Sequence, residues 1–377
     1  MLKNKAFGSI LGLSFIISVG SVGCAKRGEA WRGTIQEVDG VTVVKNPKEP
    51  MYGAESCIVE EDLSIGKAEA GGEFPFSEIL DVGVDEQENI YVLDSKEAQI
   101  SVFNKAGEYL RTIGKKGQGP GEMQRPRNVY ITPGNEILVS DRPRFLHFFM
   151  LSGEYLRSIS LGRIPLISRP KVDSQNDIIG RYTLFGPSRA SFVLAKLDSG
   201  LNEIIRIFSY EYDITPKIHN VYPPECFWDV RKDDGIVWGY SDKYELQVLD
   251  GSGRIRQKII KDYVPMAITE EEKREWLDFA FGDKGVPPDE KVIWEKHHNA
   301  FHSLHVDDSS RIFVETYEKA IEGRGLYYDI FDPEGRFIAK IALRSAPRVV
   351  KMDRIYSIEE DEQGYQVVKR YQMTWKF

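Results

Sequence analysis

A long passage repeats inside this chain, and an internal repeat decides architecture before any single motif does. "ILDVGVDEQENIYVLDSKEAQISVFNKAGEYLRTIG", from Ile79, is followed by "PRNVYITPGNEILVSDRPRFLHFFMLSGEYLRSISLG", from Pro126. The tetrapeptide EYLR returns at Glu108 and Glu154, 46 residues apart, and Asp94 and Asp141 end matching strands 47 residues apart. Each unit reads as four short alternating strands separated by turn residues such as "DEQEN" and "NKAGE", which together make one antiparallel sheet. Worn copies follow at "VDSQNDIIGRY", "VRKDDGIVWGY" and "LHVDDSSRIFVETY", so five units are visible.

The C-terminal stretch from Val349 supplies strands without a clear fourth, whereas "ESCIVEEDLSIG" near the N-terminus is a strand without a unit. The two deficits complement each other. A ring of blades hides its open edges when the first strand completes the last blade. With about 45 residues per blade, the expectation is an all-β, six-bladed β-propeller of four-stranded antiparallel blades over residues 54–377. A helical insertion is expected at about 263–300, because "ITEEEKREWLDFAF" opens on a Thr269/Glu272 capping box and "PPDEKVIWEKHH" carries prolines in a first turn.

The passage "VDEQENIYVLDSKEAQISVFNKAGEYLRTIGKKGQGPGEMQRPRNVYI" resembles the six-bladed β-propeller lipoproteins with NHL-like repeats, within the TolB-like propeller group. The resemblance is sharp from Ile79 to Gly162 and implies a fold and an envelope address rather than an activity. Its glycine-rich connector "IGKKGQGPGEM" has no Gly-Lys-Ser/Thr and is followed by a strand instead of a helix, so it does not read as a phosphate loop.

The N-terminus reads as a secretory signal: Lys3 and Lys5, an apolar run, then small residues before Cys24, with no acid until Glu29. Residues 1–23 are read as a lipoprotein signal, Cys24 as the lipidated residue and residues 24–53 as a linker, which places the protein on a bacterial membrane by a lipid anchor. The whole chain carries a net charge of -8, and loss of Lys3 and Lys5 moves it to -10. So acidic a protein is a poor ligand for nucleic acid. Two further cysteines, Cys57 and Cys226, fall in different blades and are expected to stay unpaired.

Candidate chemistry sits on the inner strands. Val82, Val84, Val129, Ile131, Leu304 and Val306 supply their apolar positions. The alternate positions hold Asp81, Asn128, Arg169, Lys171, Asp229 and His305, which a propeller gathers near its axis. The leading expectation is a monomeric, non-catalytic lipoprotein whose channel or face holds an envelope protein, peptide, glycan or small ligand, with no cofactor. The alternative is a metal-dependent hydrolase or lyase. His302 and His305 would be weak zinc ligands, and Asn128 and Asp229 would join a channel acid around calcium. Asp85, Asp94 and Asp141 are read as turn and strand-end caps.

Overall fold

The computed structural model describes residues 31–66, 76–142, 145–162, 164, 167–215, 217–320 and 325–377. Six antiparallel sheets radiate around one axis, each entered through its innermost strand. Those inner strands are Ile79–Val84, Arg125–Ile131, Ile167–Val172, Cys226–Val230, Ser303–Val306 and Pro347–Lys351. The fold is thus the six-bladed propeller read from the repeats. Cys57–Ile65 completes the last blade against Gln366–Trp375 and closes the ring.

The core is six wedges, one between each pair of neighbouring blades. Tyr91, Leu93 and Val102 of the first blade meet Val129, Ile137 and Phe149 of the second. The ring closes in the same way, with Tyr356 and Val368 against Ile79, Val82 and Val92. This explains why the inner strands carry apolar residues on both flanks: their side chains are covered by neighbouring blades rather than by solvent. Strand-to-strand turns repeat one device. Asp85 Oδ1 accepts the N–H groups of Gln87 and Asn89, and Asp173, Asp307 and Asp361 do the same two and four residues on. Asp94 and Asp141 cap strand ends by accepting backbone N–H groups of Ser77 and of Gln124 and Arg125.

Two regions differ from the sequence reading. Of the expected linker 24–53, the described part, residues 31–53, is folded: Thr34–Val38 and Val41–Asn46 form a hairpin whose second strand runs parallel to Ile255–Lys261, extending the fourth blade to six strands. The chain then follows the fifth blade, where Met51 and Tyr52 donate to Phe337 and Ile338 carbonyls, before it closes the sixth. "VTVVKN" has only the wholly exposed "TIQEV" as a neighbour along the chain, and the strand that ties it to a blade lies more than 200 residues away.

The second correction concerns the insertion. Its helix Glu270–Phe281 carries the Thr269/Glu272 capping box. The expected second helix is instead the strand Lys291–Trp294, parallel to Ile218–Val221 of the preceding connector. The β-branched pair Val292 and Ile293, with Trp294 after it, and an available strand edge outweigh the prolines upstream. No helix among the described residues is long and apolar enough to cross a membrane.

Candidate functional site

All six inner strands contribute to one cavity of about 600 Å³ on the axis. Asp81, Asn128, Arg169, Lys171, Asp229 and His305 all line it, together with Tyr130 and Arg348. Their positions follow from the pleat, since alternate side chains of an inner strand point either into a wedge or toward the axis. Arg348 was missed because the sixth unit shows no repeat phrasing around "APRVVK". Only the count of blades could have exposed it.

Ladder irregularities adjust where these side chains point. The register shifts between Ile79 and Asp81, Pro126 and Asn128, Ser168 and Lys171, and Pro347 and Val349. Bulges bend a strand locally and re-aim a side chain. Arg169 lies in one of them with φ of 47°, ahead of Pro170, a conformation disfavoured for any residue with a Cβ. Strain of this kind persists only where the surrounding structure enforces it.

The acids of the channel are held by hydrogen bonds. Asp81 Oδ2 accepts Val129 N at 3.1 Å and Asn128 Nδ2 at 3.3 Å, and Oδ1 accepts Val82 N at 3.0 Å. Burial nevertheless pushes its carboxyl above the ordinary value, with Arg348 and these bonds acting in the opposite direction. Asp229 pairs with Lys171, and its Oδ2 accepts Val306 N at 2.9 Å. Burial first, then the Arg169 charge, depress His305 to about 4, so its ring is neutral at neutral pH and offers one donor and one acceptor.

His302 does not line this cavity. It lies beside Glu315 at 3.7 Å, which raises its pKa, and its ring centroid is 5.2 Å from that of Tyr317. Among the described residues, no three His, Cys, Asp or Glu side chains converge as a metal would require. The proposed zinc pair His302 and His305 is therefore not brought together with a third ligand. Cys57 and Cys226 are free and buried, and burial pushes both thiols up to about 12. Cys24 lies outside the described residues.

The glycine-rich connector forms a closed loop. Lys115–Lys116 pairs with Glu122–Met123, and Glu122 accepts the N–H groups of Gln118 and Gly119 while meeting Lys115 at 3.1 Å. Gly114 is required by its backbone, since φ of 76° disfavours any residue with a Cβ. The backbone donors that a phosphate would need are turned onto Glu122.

A family described as a 6-bladed beta-propeller (DUF5128) matches residues 69–219. Among solved structures, the chain is similar to a protein assigned as exported from Bacteroides fragilis. The TM-score is 0.55 at 12% identity, over 89% of this chain and 100% of that one. It is also similar to a member of the DUF4221 family from Bacteroides vulgatus, with TM-score 0.52 at 12% identity over 86% of this chain and 100% of that one. Likeness at such identity extends to the fold. No curated protein matches the chain.

Proposed function

We propose that this protein is an exported propeller, tethered to a bacterial membrane through lipid on Cys24, that binds a small ligand in its central channel without converting it. The observation that carries this reading is the convergence of polar side chains from all six blades on one cavity of about 600 Å³, a volume within the range of small-molecule sites. Pockets of this kind fix a ligand with a few placed polar groups on a rigid wall. The NHL-like cast of the repeats, the basic and apolar N-terminus and the fold shared with a Bacteroides fragilis protein described as exported support the address.

The binding claim is tested by thermal unfolding of the mature protein against a panel of anionic, neutral and cationic metabolites, peptides and glycans. A true ligand at a hundred times its Kd stabilises by about 2.7 kcal/mol, and turnover assays on the same compounds should show no product. Consumption of a stabilising compound, abolished by His305→Ala, would favour the enzymatic alternative. The tether has its own check by membrane fractionation. Cys24→Ala should move the protein from the membrane to the soluble fraction, and unchanged partitioning contradicts lipidation.

A further inference from the structure

The charged groups of the channel are unevenly satisfied. Five carboxylates line it, and each has a donor: Asp81 and Asp229 as described, Glu86 with Lys351 at 3.1 Å, Asp307 with Arg311 at 2.6 Å, and Asp308 with the Met352 N–H at 2.9 Å. Of the six cations, Lys171, Arg231 and Lys351 are likewise paired, and Lys232, just past the end of its inner strand, is exposed and makes no ion pair among the described residues. Arg169 and Arg348 line the same cavity, yet neither donates a hydrogen bond nor joins an ion pair among the described residues. Both guanidiniums are solvent-exposed, and although the Arg348 charge acts on Asp81, neither holds an acceptor of its own, in a chain of net charge -8.

Their placement adds a constraint. Arg169 stands on the third blade and Arg348 on the sixth, three blades apart in a ring of six, and therefore on opposite sides of the axis. Both occupy register shifts in the first half of their inner strands, at the end of the channel where the blade-to-blade connectors lie. A cavity of about 600 Å³ far exceeds the volume of a single water or simple ion, about 30 Å³.

Resting on the reading that the channel binds a ligand, we propose that this ligand is an organic dianion, its two acidic groups clamped by Arg169 from one side and Arg348 from the other. Planar guanidiniums match carboxylate and phosphate oxygens bidentately, which orients such a molecule across the axis. Asn128, Tyr130 and the neutral His305 ring supply polar groups along its middle, and the wall acids Asp81 and Asp229 are already hydrogen-bonded.

The test is isothermal titration of the mature protein with malonate, succinate, glutarate and adipate. Butyrate serves as the monoanion, 1,3-propanediol as the neutral comparator, and glycerol 2-phosphate and fructose 1,6-bisphosphate as the phosphate arms. One dianion should bind saturably and far better than butyrate, and whether it is a dicarboxylate or a phosphate tells the two sources apart. Arg348→Gln and Arg169→Gly should each weaken that binding by about tenfold or more, the loss expected when a charge-assisted hydrogen bond is removed. Glycine keeps the left-handed backbone at position 169, so folding is retained.

Three results overturn the proposal. Dianion binding indifferent to both substitutions removes the clamp. Saturable stabilisation by neutral glycans or peptides, with no anion binding, removes the anion while leaving the channel as a binding site. No stabilisation by any compound removes both readings together.

Discussion

Lys261→Met should lower the unfolding free energy by about 3–5 kcal/mol at neutral pH, the cost of removing one partner from a buried ion pair. Lys261 lies in the wedge between the fourth and fifth blades, its ammonium 3.3 Å from Asp329 and 4.8 Å from the centroid of the Phe337 ring. Both side chains are buried, and Tyr244 donates to the same Asp329 oxygen at 2.7 Å. Without the lysine, the carboxylate stays desolvated with a phenol and the more distant Lys340 charge beside it.

The pH dependence follows from the Asp329 carboxyl, which burial already raises above its ordinary value and which Lys261 lowers. In Lys261→Met the folded carboxyl rises further and holds its proton more tightly than the unfolded chain does. Stability then falls as pH climbs from about 4 upward, so the difference from the native protein narrows in acid. Chemical denaturation at two pH values measures this. Lys261→Met combined with Asp329→Leu should recover most of the loss, because an apolar pair of similar volume removes the stranded charge.

Asn46→Leu should cost about 2–4 kcal/mol, because it strands two buried backbone groups of the fifth blade and an indole N–H at once. Asn46 accepts Phe337 N at 2.7 Å and Trp31 Nε1 at 3.1 Å, and donates to the Gly335 carbonyl at 2.9 Å. It thereby ties the N-terminal hairpin to the fifth blade. If residues 31–53 were merely a tether, the substitution would be nearly silent in denaturation, and a loss near the upper figure identifies the hairpin as part of the folded unit.

The legible part of this fold is the part governed by local repetition. Alternating strands, Asx turns at Asp85 and its counterparts, and the orphan strand Cys57–Ile65 all announce themselves through spacing, and closure of the ring follows from edge chemistry. What depends on a distant partner was hidden. Val41–Asn46 joins a blade only through Ile255–Lys261, more than 200 residues away, and Lys291–Trp294 pairs with Ile218–Val221 of an earlier connector.

The channel shows the same division. Asp81, Asn128, Lys171 and Asp229 were found by counting alternate positions on inner strands. Arg348 was not, since its blade lacks the repeat's phrasing and its place depends on a shift between Pro347 and Val349. Nor could the sequence tell that Asp81 would be occupied by its neighbours while Arg169 stayed free. That distinction needs partners from adjacent blades, because Asn128 and Val129 reach Asp81 from the next unit in the ring.

The most direct test of the account is a crystal structure of the mature protein with the tightest-binding compound of the panel. The account predicts difference density on the propeller axis, between Arg169 and Arg348 and in contact with Asn128 or His305. Density confined to the outer strands or to the insertion around Trp276, with an axis unchanged by ligand, would contradict it.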